Sequence, residues 1–343
     1  MAEELTNTGV AELLVGVQAS LGTAAAAPRK ALPLVSGSLS PAQTQGEQKY
    51  FDGVVFGRAD AAVTKVEAGG ELTFVGKAES LAYLFSLALA NDSVTGLGPY
   101  AHVTDSNSNG LKAFTVWQSV GVGALAVKQK FTDCVIKSAS FEGSASSEGS
   151  VTAKVEVIAL KVETYDTVAA ATDILEDTSS AFFWPHGSGS FVLGADTVRG
   201  DSQLMLKIDT GLEVVHADNH EAHGFKRSKS ASGITGTASI FLDAIGLAIH
   251  NTAFYGSATP AAGTSPTTAV QELSMAFEFA FGAGADERSV KFELGASQIN
   301  IDKSVEPSMD GEASVEVAFK CQKSADGSPA LTVTSLTPNT LAY

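Results

Sequence analysis

The strongest candidate for site chemistry in this sequence is a histidine-rich segment, HADNHEAHGF. It contains His216, His220 and His223, together with Asp218 and Glu221. On a helix, His216 and His220 would lie on one face and could bind a metal ion together. The segment instead lies between two strand-like runs and matches known metal-ligand spacings only loosely. We therefore predict a polar loop with no bound metal.

Two other segments have the residue types of a ligand site without its spacing. DSNSNG, from Asp105, matches the start of a calcium loop, but Val116 stands where that loop requires a bidentate glutamate. GSGSFVLG, from Gly187, follows no clear strand and begins no helix, unlike a phosphate-binding loop. No Ser/His/Asp order or C-x-x-C pair stands out. We predict a protein that is not an enzyme and has no cofactor.

The elements that must position these segments repeat along the chain. FTDCVIKSASFEGSASSEGSVTAKVEVIALK, from Phe131, is echoed by FELGASQINIDKSVEPSMDGEASVEVAFK, from Phe292. The VEV of Val155–Val157 returns at Val315–Val317. A weaker echo relates GGELTFVGKAESLAYLFSLAL to TGTASIFLDAIGLAIHNTAF. This pattern indicates one duplication followed by small deletions in loops, and duplicated β-domains favour ring-shaped assemblies.

Each copy reads as strands, one helix and further strands. Leu81, Leu84, Phe85 and Ala88 have helical spacing in AESLAYLFSLALAND, and IFLDAIGLAIHNTAF is the helix-like segment of the second copy. Strict alternation in SVTAKVEVIAL predicts a half-exposed strand. We predict a mainly β fold of two sandwich domains, each with a flanking helix. The predicted boundaries are an N-terminal arm over 1–30, a first domain over 31–165, a linker over 166–179 and a second domain over 180–343.

Length, composition and charge agree with this interpretation. The chain has 343 residues, which exceeds the usual limit of a single core, and 44% are hydrophobic while only 17% are charged. Its formal charge of −16 argues against binding nucleic acid through the phosphates, because such binding needs a basic surface. Cys134 and Cys321 do not occupy equivalent repeat positions, so we expect buried free thiols in a cytoplasmic setting. We recognise no signal peptide and no apolar run of transmembrane length.

Together, these features resemble the tail tube proteins of long-tailed, non-contractile bacteriophages, in the branch whose fold occurs twice per chain. The resemblance lies in VGVQASLGTAAAAPRKALPLVSGSLS, VEAGGELTFVGKAESLAYLFSLALAND, GLGPYAHV and the segment from Phe131 quoted above. It covers nearly the whole chain, most strongly residues 14–165. The order of these strings carries the resemblance, because none of them is as specific as a catalytic motif.

The resemblance implies β-sandwich domains whose strands join a closed β-barrel around a lumen. Six copies of the fold line such a tube, so a duplicated chain implies homotrimeric, pseudo-hexameric rings. It further implies stacking of rings into a conduit for DNA in the virion tail, assembly in the host cytoplasm, and contacts with tape measure, terminator and distal tail proteins. An acidic lumen would repel DNA phosphates, so that DNA passes without specific binding.

The resemblance also implies that the long excursion from Ser36 to Val66 reaches along the tube and packs on the neighbouring ring. We predict stacking contacts by Tyr50, Phe51, Phe56 and Arg58, although these residues could instead pack within their own domain. The corresponding second-copy segment, HADNHEAHGFKRSK, supplies the candidates His220, Lys226 and Arg227. If the two excursions are equivalent, the copies meet the next ring through different chemistry.

Three alternatives stay open at the level of sequence. The chain could be another ring protein of the same tail, such as a terminator or distal tail protein. It could be a surface β-sandwich adhesin or carbohydrate-binding module, although no export signal is recognised and only 2 Trp are present. It could also be a metal-dependent hydrolase centred on the histidine segment, which lacks a second ligand-rich partner elsewhere.

Overall fold

The structure is a computed structural model, and it describes most of the chain. The described residues are 10–26, 30–50, 58–108, 110–121, 126–144, 151–167, 175–176, 181–182, 190–194, 196–198, 200–216, 222–268, 271–282, 287–300, 313–321 and 327–338. Within them the protein is mainly β, and it has two helices, α1 (Ala78–Leu89) and α2 (Ala244–Tyr255). We call residues 10–167 the N-terminal half and residues 190–338 the C-terminal half.

The strands of the N-terminal half precede and follow α1 along the chain, and the short strand β11 comes after this half. They are β1 (Val10–Val17), β2 (Lys30–Ala31), β3 (Leu34–Gly37), β4 (Ser40–Tyr50), β5 (Arg58–Val75), β6 (Ser93–Thr95), β7 (Tyr100–Asp105), β8 (Phe114–Val120), β9 (Val127–Ser144), β10 (Val151–Thr164) and β11 (Leu175–Glu176). Residues 10–17 of the segment predicted as an N-terminal arm lie in β1, which pairs with β8 along its length.

The strands of the C-terminal half precede and follow α2 along the chain. They are β12 (Ser190–Leu193), β13 (Asp196–Thr197), β14 (Gly200–His216), β15 (Ala222–Phe241), β16 (Gln271–Phe281), β17 (Arg288–Asn300), β18 (Ser314–Cys321) and β19 (Leu331–Thr337). In each half a long hairpin, β4–β5 or β14–β15, leads directly into the helix.

One antiparallel sheet, which we call the main sheet, runs through both halves. Its strand order is β4, β5, β10, β9, β14, β15, β18 and β17. The first four strands are two hairpins, in which β10 lies between β5 and β9. The last four repeat this arrangement, with β18 between β15 and β17. The echoed VEV sequences thus lie on the strands β10 and β18, which hold the same place in the two halves.

Each half also has a side sheet that shares strands with the main sheet. In the N-terminal half this sheet contains β1, β8, the start of β9 and the end of β10. In the C-terminal half it contains β12, β16, the start of β17 and β19. Strands β7 and β6 of the N-terminal half extend this second side sheet beyond β19. The pairing of β7 with β19 therefore joins the halves a second time.

Alternation of side chains separates core from surface along the main sheet. On β10, Val151, Val155 and Val157 are buried, whereas Thr152 and Lys154 lie on the opposite face and are more accessible. This alternation confirms the strand predicted from SVTAKVEVIAL, because successive residues of a strand point to opposite faces. Most buried hydrophobic residues of both halves form one continuous cluster, and Ala113, Val135 and Leu212 form a second, small one.

Both helices occur where the sequence predicts them, but they are stabilised differently. The α2 helix begins after Asp243, whose Oδ1 accepts hydrogen bonds from the backbone N–H groups of Ile245 and Gly246, and it ends at Gly256 with φ +77°. This is the side-chain capping expected of a helix that must be stable locally. The α1 helix has no side-chain cap at Lys77. All its residues are buried, so tertiary packing supports it instead.

Candidate functional site

The outer face of the main sheet is a continuous polar surface that crosses both halves. We call it the polar face. Register places its residues side by side, as in the row formed by Thr73, Lys154, Ser140, Lys207 and Thr235 on successive strands. The opposite face of the same strands is buried. Such a half-exposed antiparallel sheet has one surface for packing and another for solvent or for a passing ligand.

The polar face carries charges of both signs. Its described charged residues near the centre of the sheet are Glu71, Glu142, Glu156, Asp209, Glu316, Lys137, Lys154, Lys207 and Lys320. Lys137 Nζ lies 2.7 Å from Glu156 Oε1, and this hydrogen bond raises the pKa of the Lys137 amine. Ser138 also donates to Glu156. The lysines thus lie among carboxylates, and the surface is not basic.

The junction between the halves is built from backbone pairing on the main sheet. Strand β9 pairs with β14 from Ser144 opposite Gln203 to Ser138 opposite Asp209. The hydroxyl of Thr210 then donates to the carbonyl oxygen of Lys137 at 2.8 Å. This hydrogen bond lies where β9 and β14 separate, and it gives the Lys137 carbonyl oxygen a partner just beyond the last strand pairing.

The second contact of the junction depends on α1 and the hairpin that follows it. Asn91, just after α1, exchanges two hydrogen bonds of 3.0 Å with the backbone of Asp105, at the end of β7. His102 Nδ1 lies 3.1 Å from Asp92 Oδ2, and both side chains are buried. These contacts hold β7 against α1, and β7 in turn pairs with β19 of the other half.

Aromatic side chains fill the space between the halves. Phe85 of α1 contacts Phe292 of β17 edge to face, with ring centroids 5.2 Å apart. Phe141 of β9 lies between Phe292 at 4.8 Å and Phe279 at 5.2 Å. The sequence-based prediction placed α1 on a sheet but did not identify this role. The available signal was that α1 is apolar on nearly all sides, which is typical of a fully buried helix.

Two of the predicted stacking residues lie at the described end of the hairpin β4–β5. Tyr50 ends β4 directly opposite Arg58, which begins β5. Phe51 and Phe56, between them, lie outside the described residues, and so does His220. The side chains of Tyr50 and Arg58 are likewise not described. The stacking contacts assigned to these four residues and to His220 therefore stay predictions.

Lys226 and Arg227 are both exposed on β15, but their contacts differ. Lys226 Nζ lies 3.0 Å from Glu213 Oε2, across the hairpin from it. Arg227 Nη2 donates to the carbonyl oxygen of Gly110 at 3.1 Å and so reaches the N-terminal half. In this chain Arg227 contributes to the junction, and its predicted contact with another ring stays a prediction.

Arg227 also lines a cavity of about 290 Å³ between the halves. Its other polar groups include those of Asn107 and Asp209, and its apolar ones include Leu89 and Ile234. Nearby, the carboxylate of Asp105 accepts a hydrogen bond from the backbone of Asn107 at 2.8 Å, as in a polar turn. The described residues contain no cluster of three or more potential metal ligands.

The long hairpins of the two halves approach each other. His216 Nε2 of β14 lies 3.6 Å from Glu67 Oε1 of β5. The first histidine of the histidine-rich segment therefore faces the other hairpin, whereas His220 and the acidic residues near it lie outside the described residues.

No protein-family model matches this chain, and no curated protein matches it in sequence. Neither of the helices within the described residues has the length and apolar character needed to cross a membrane. The polar face, the junction and the two hairpins are therefore the features from which a function can be argued.

Proposed function

We propose that this protein is a structural virion protein that forms the tail tube of a long-tailed, non-contractile bacteriophage. In this proposal, homotrimeric rings stack into a hollow conduit through which DNA passes into the host. The observation that carries the proposal is the repeated strand order of the main sheet, in which β4, β5, β10 and β9 are followed by β14, β15, β18 and β17.

The repeat supports a ring because the strand pairing that joins the two halves within one chain can also join one chain to the next. Within one chain, β9 of the N-terminal half pairs with β14, the first long strand of the C-terminal half. Strand β4 holds the corresponding place in the N-terminal half, and among the described pairings it contacts only β5. Pairing of this open edge with the C-terminal half of another chain is a head-to-tail contact, which forms a ring when the rotation closes.

Closure would turn the main sheets of three chains into one barrel of six tandem tube-type domains. It would also cover the open edge of β4, and an uncovered edge is a site for uncontrolled aggregation. The trimer follows from the resemblance to tube proteins with six folds per ring.

The polar face suits a surface past which DNA slides. It consists mainly of Ser, Thr, Lys and Glu side chains, and Lys137 is paired with Glu156. A basic lining would hold the phosphates, whereas a surface of mixed charge within a chain of formal charge −16 gives them no site to bind. In the proposed assembly this face lines the lumen, and DNA passes without specific binding.

The two long hairpins are the proposed contacts between stacked rings. The ring-stacking candidates Tyr50, Phe51, Phe56, Arg58, His220, Lys226 and Arg227 lie in or next to their ends. The tape measure protein inside the tube and the terminator or distal tail proteins at its ends complete the proposed set of partners. The proposed protein is not an enzyme and uses no cofactor.

Electron microscopy of the purified full-length protein tests the proposal. We expect hollow filaments, or rings that show threefold symmetry on averaging, at protein concentrations where sedimentation detects trimers and larger species. Isolated rings that never stack would favour a terminator or distal tail protein. A protein that sediments as a monomer at high concentration and forms no filaments would overturn the proposal.

A further inference from the structure

The two helices occupy equivalent positions in the repeat, but they differ sharply in exposure. Each has 12 residues and follows a long hairpin of the main sheet. The second, fourth and eleventh residues of α1 are Glu79, Leu81 and Ala88, with exposed fractions of 5%, 0% and 7%. The corresponding residues of α2 are Ile245, Leu247 and Phe254, with exposed fractions of 40%, 47% and 37%. The helix with larger apolar side chains at these positions is thus the more exposed one.

The difference arises because the C-terminal half covers α1. Strands β19, β17 and β14 all contact α1, and Phe292 packs against Phe85. The hairpin after α1 is covered as well, since β7 pairs with β19. The segment after α2, residues 256–268, forms no strand and is almost entirely exposed. Within the described residues, α2 and this segment lack the cover that their counterparts have.

The N-terminal half carries the surface that corresponds to the cover of α1. Strand β19 lies beside the start of β17, with Val333 opposite Phe292. The end of β10 lies beside the start of β9 in the same way, with Val162 opposite Phe131. The other edge of β19 is occupied by β7. From Leu160 onward, however, β10 pairs only with β9 among the described strands.

We propose that α2 packs against the end of β10, residues 160–164, in a second copy of this chain, in the way that α1 packs against β19 within one chain. This inference rests on the proposed ring, for which it names the closing contact. The two surfaces lie on different halves, so the contact is heterologous and every protomer gives one and receives one. Leu247 and Phe254 are seven residues apart on α2 and therefore lie on one face of the helix, where they supply exposed apolar area that such a contact buries.

Charge placed on the exposed face of α2 tests the inference. Leu247→Glu and Phe254→Glu are at exposed positions, so both variants should keep the wild-type circular dichroism spectrum. We expect each to shift the protein from rings to monomers in sedimentation velocity at concentrations where wild type is assembled. Leu97→Glu, at a fully exposed leucine outside α2, is the matched control and should assemble as wild type does.

Photo-cross-linking identifies the receiving surface directly. Benzoylphenylalanine in place of Leu247, in a mixture of ¹⁴N- and ¹⁵N-labelled full-length protein, should yield mixed-isotope cross-links to residues in or next to 160–164. If rings form and the cross-links fall elsewhere, or if both glutamate variants assemble like wild type, the inference about α2 is overturned and the tube proposal stands. If wild type itself forms neither rings nor filaments, both are overturned.

Discussion

Phe85 of α1 and Phe292 of β17 meet edge to face across the junction, with ring centroids 5.2 Å apart. This is the geometry that aromatic pairs prefer. Phe292 also contacts Phe141 of β9. Helix α1 and strand β9 of the N-terminal half therefore both pack against this one side chain of the C-terminal half. The hydrophobic cluster that contains these rings is continuous across the halves. We therefore expect the halves to unfold together although they have the strand order of a duplication.

Phe85→Ala should lower the free energy of unfolding by about 3–5 kcal/mol, the usual cost of removing a buried phenylalanine. Urea denaturation followed by fluorescence and by circular dichroism measures this change. Phe281→Ala, at a residue of β16 that is 55% exposed, is the control and should change the free energy by about 0.5 kcal/mol or less. Two separated unfolding transitions in wild type would contradict the single cooperative unit.

Gly236→Ala should be destabilising, because β15 passes too close to β14 for a side chain. A Cβ atom at Gly236 would lie 2.3 Å from the carbonyl oxygen of Met205 and 2.4 Å from the ring of Phe319. Overpacking of this kind costs about 1–3 kcal/mol. Gly233→Ala on the same strand meets nothing within 4 Å and is the matched control. Equal urea midpoints for the two variants would contradict the close approach.

Gly70, which the sequence repeat relates to Gly236, is also approached closely by a backbone carbonyl oxygen. A Cβ atom at Gly70 of β5 would lie 2.2 Å from the carbonyl oxygen of Ser38. At both positions a backbone oxygen leaves no room for a Cβ atom. Gly70→Ala should therefore lower the urea midpoint in the same direction as Gly236→Ala.

Asp133 of β9 binds the segment that follows β1 through two hydrogen bonds. It has φ +56°, and its buried Oδ1 accepts hydrogen bonds from the backbone N–H of Gly22 at 2.7 Å and from Gln18 Nε2 at 3.2 Å. Asp133→Ala removes this acceptor. It also leaves an alanine in the left-handed backbone region without the hydrogen bonds that Asp133 makes there. We expect the free energy of unfolding to fall by about 2–3 kcal/mol.

Hydrogen exchange at the Gly22 amide separates this role from general destabilisation. Exchange there should accelerate in Asp133→Ala under conditions where the amides of β10 keep their protection. Asp133→Asn retains an oxygen acceptor and tolerates the same backbone conformation, so it should restore most of the protection. Unchanged protection of Gly22 in the alanine variant would refute the assigned contact.

Much of the local structure could be predicted from the sequence because it depends on local periodicity. The spacing of Leu81, Leu84, Phe85 and Ala88 predicts α1, and alternation around Val155 predicts β10. The junction could not be predicted, since nothing near Phe85 in sequence specifies Phe292 as its partner. Strand pairing between distant segments depends on packing rather than on intrinsic preference.

Buried polar residues are a second class that sequence patterns do not resolve. Gln118 interrupts the apolar run of β8, yet it is buried. Its side-chain amide donates to the carbonyl oxygen of Leu39 at 2.9 Å and accepts from the N–H of Leu39 at 2.8 Å. It therefore substitutes for a strand pairing just before β4. A polar residue in an apolar strand indicates such a contact but does not identify its partner.

Folding stability should decrease at alkaline pH because the two cysteines are buried as thiols. Burial raises the pKa of Cys321 from its ordinary value of 9.0 to about 11, although a hydrogen bond with Ser297 opposes the change, and burial also raises the pKa of Cys134. When the folded-state pKa is the higher one, the unfolded chain loses its proton first. The stabilisation is then complete below about pH 9 and is lost as the pH rises towards 11. For Cys321 the loss in the free energy of unfolding should approach about 2–3 kcal/mol.

Urea denaturation of wild type and Cys321→Ala between pH 8 and pH 11 measures this loss as a difference in slope with pH. The comparison of slopes cancels the constant cost of the smaller side chain. Parallel pH profiles for the two proteins would show that the Cys321 thiolate is tolerated in the folded state.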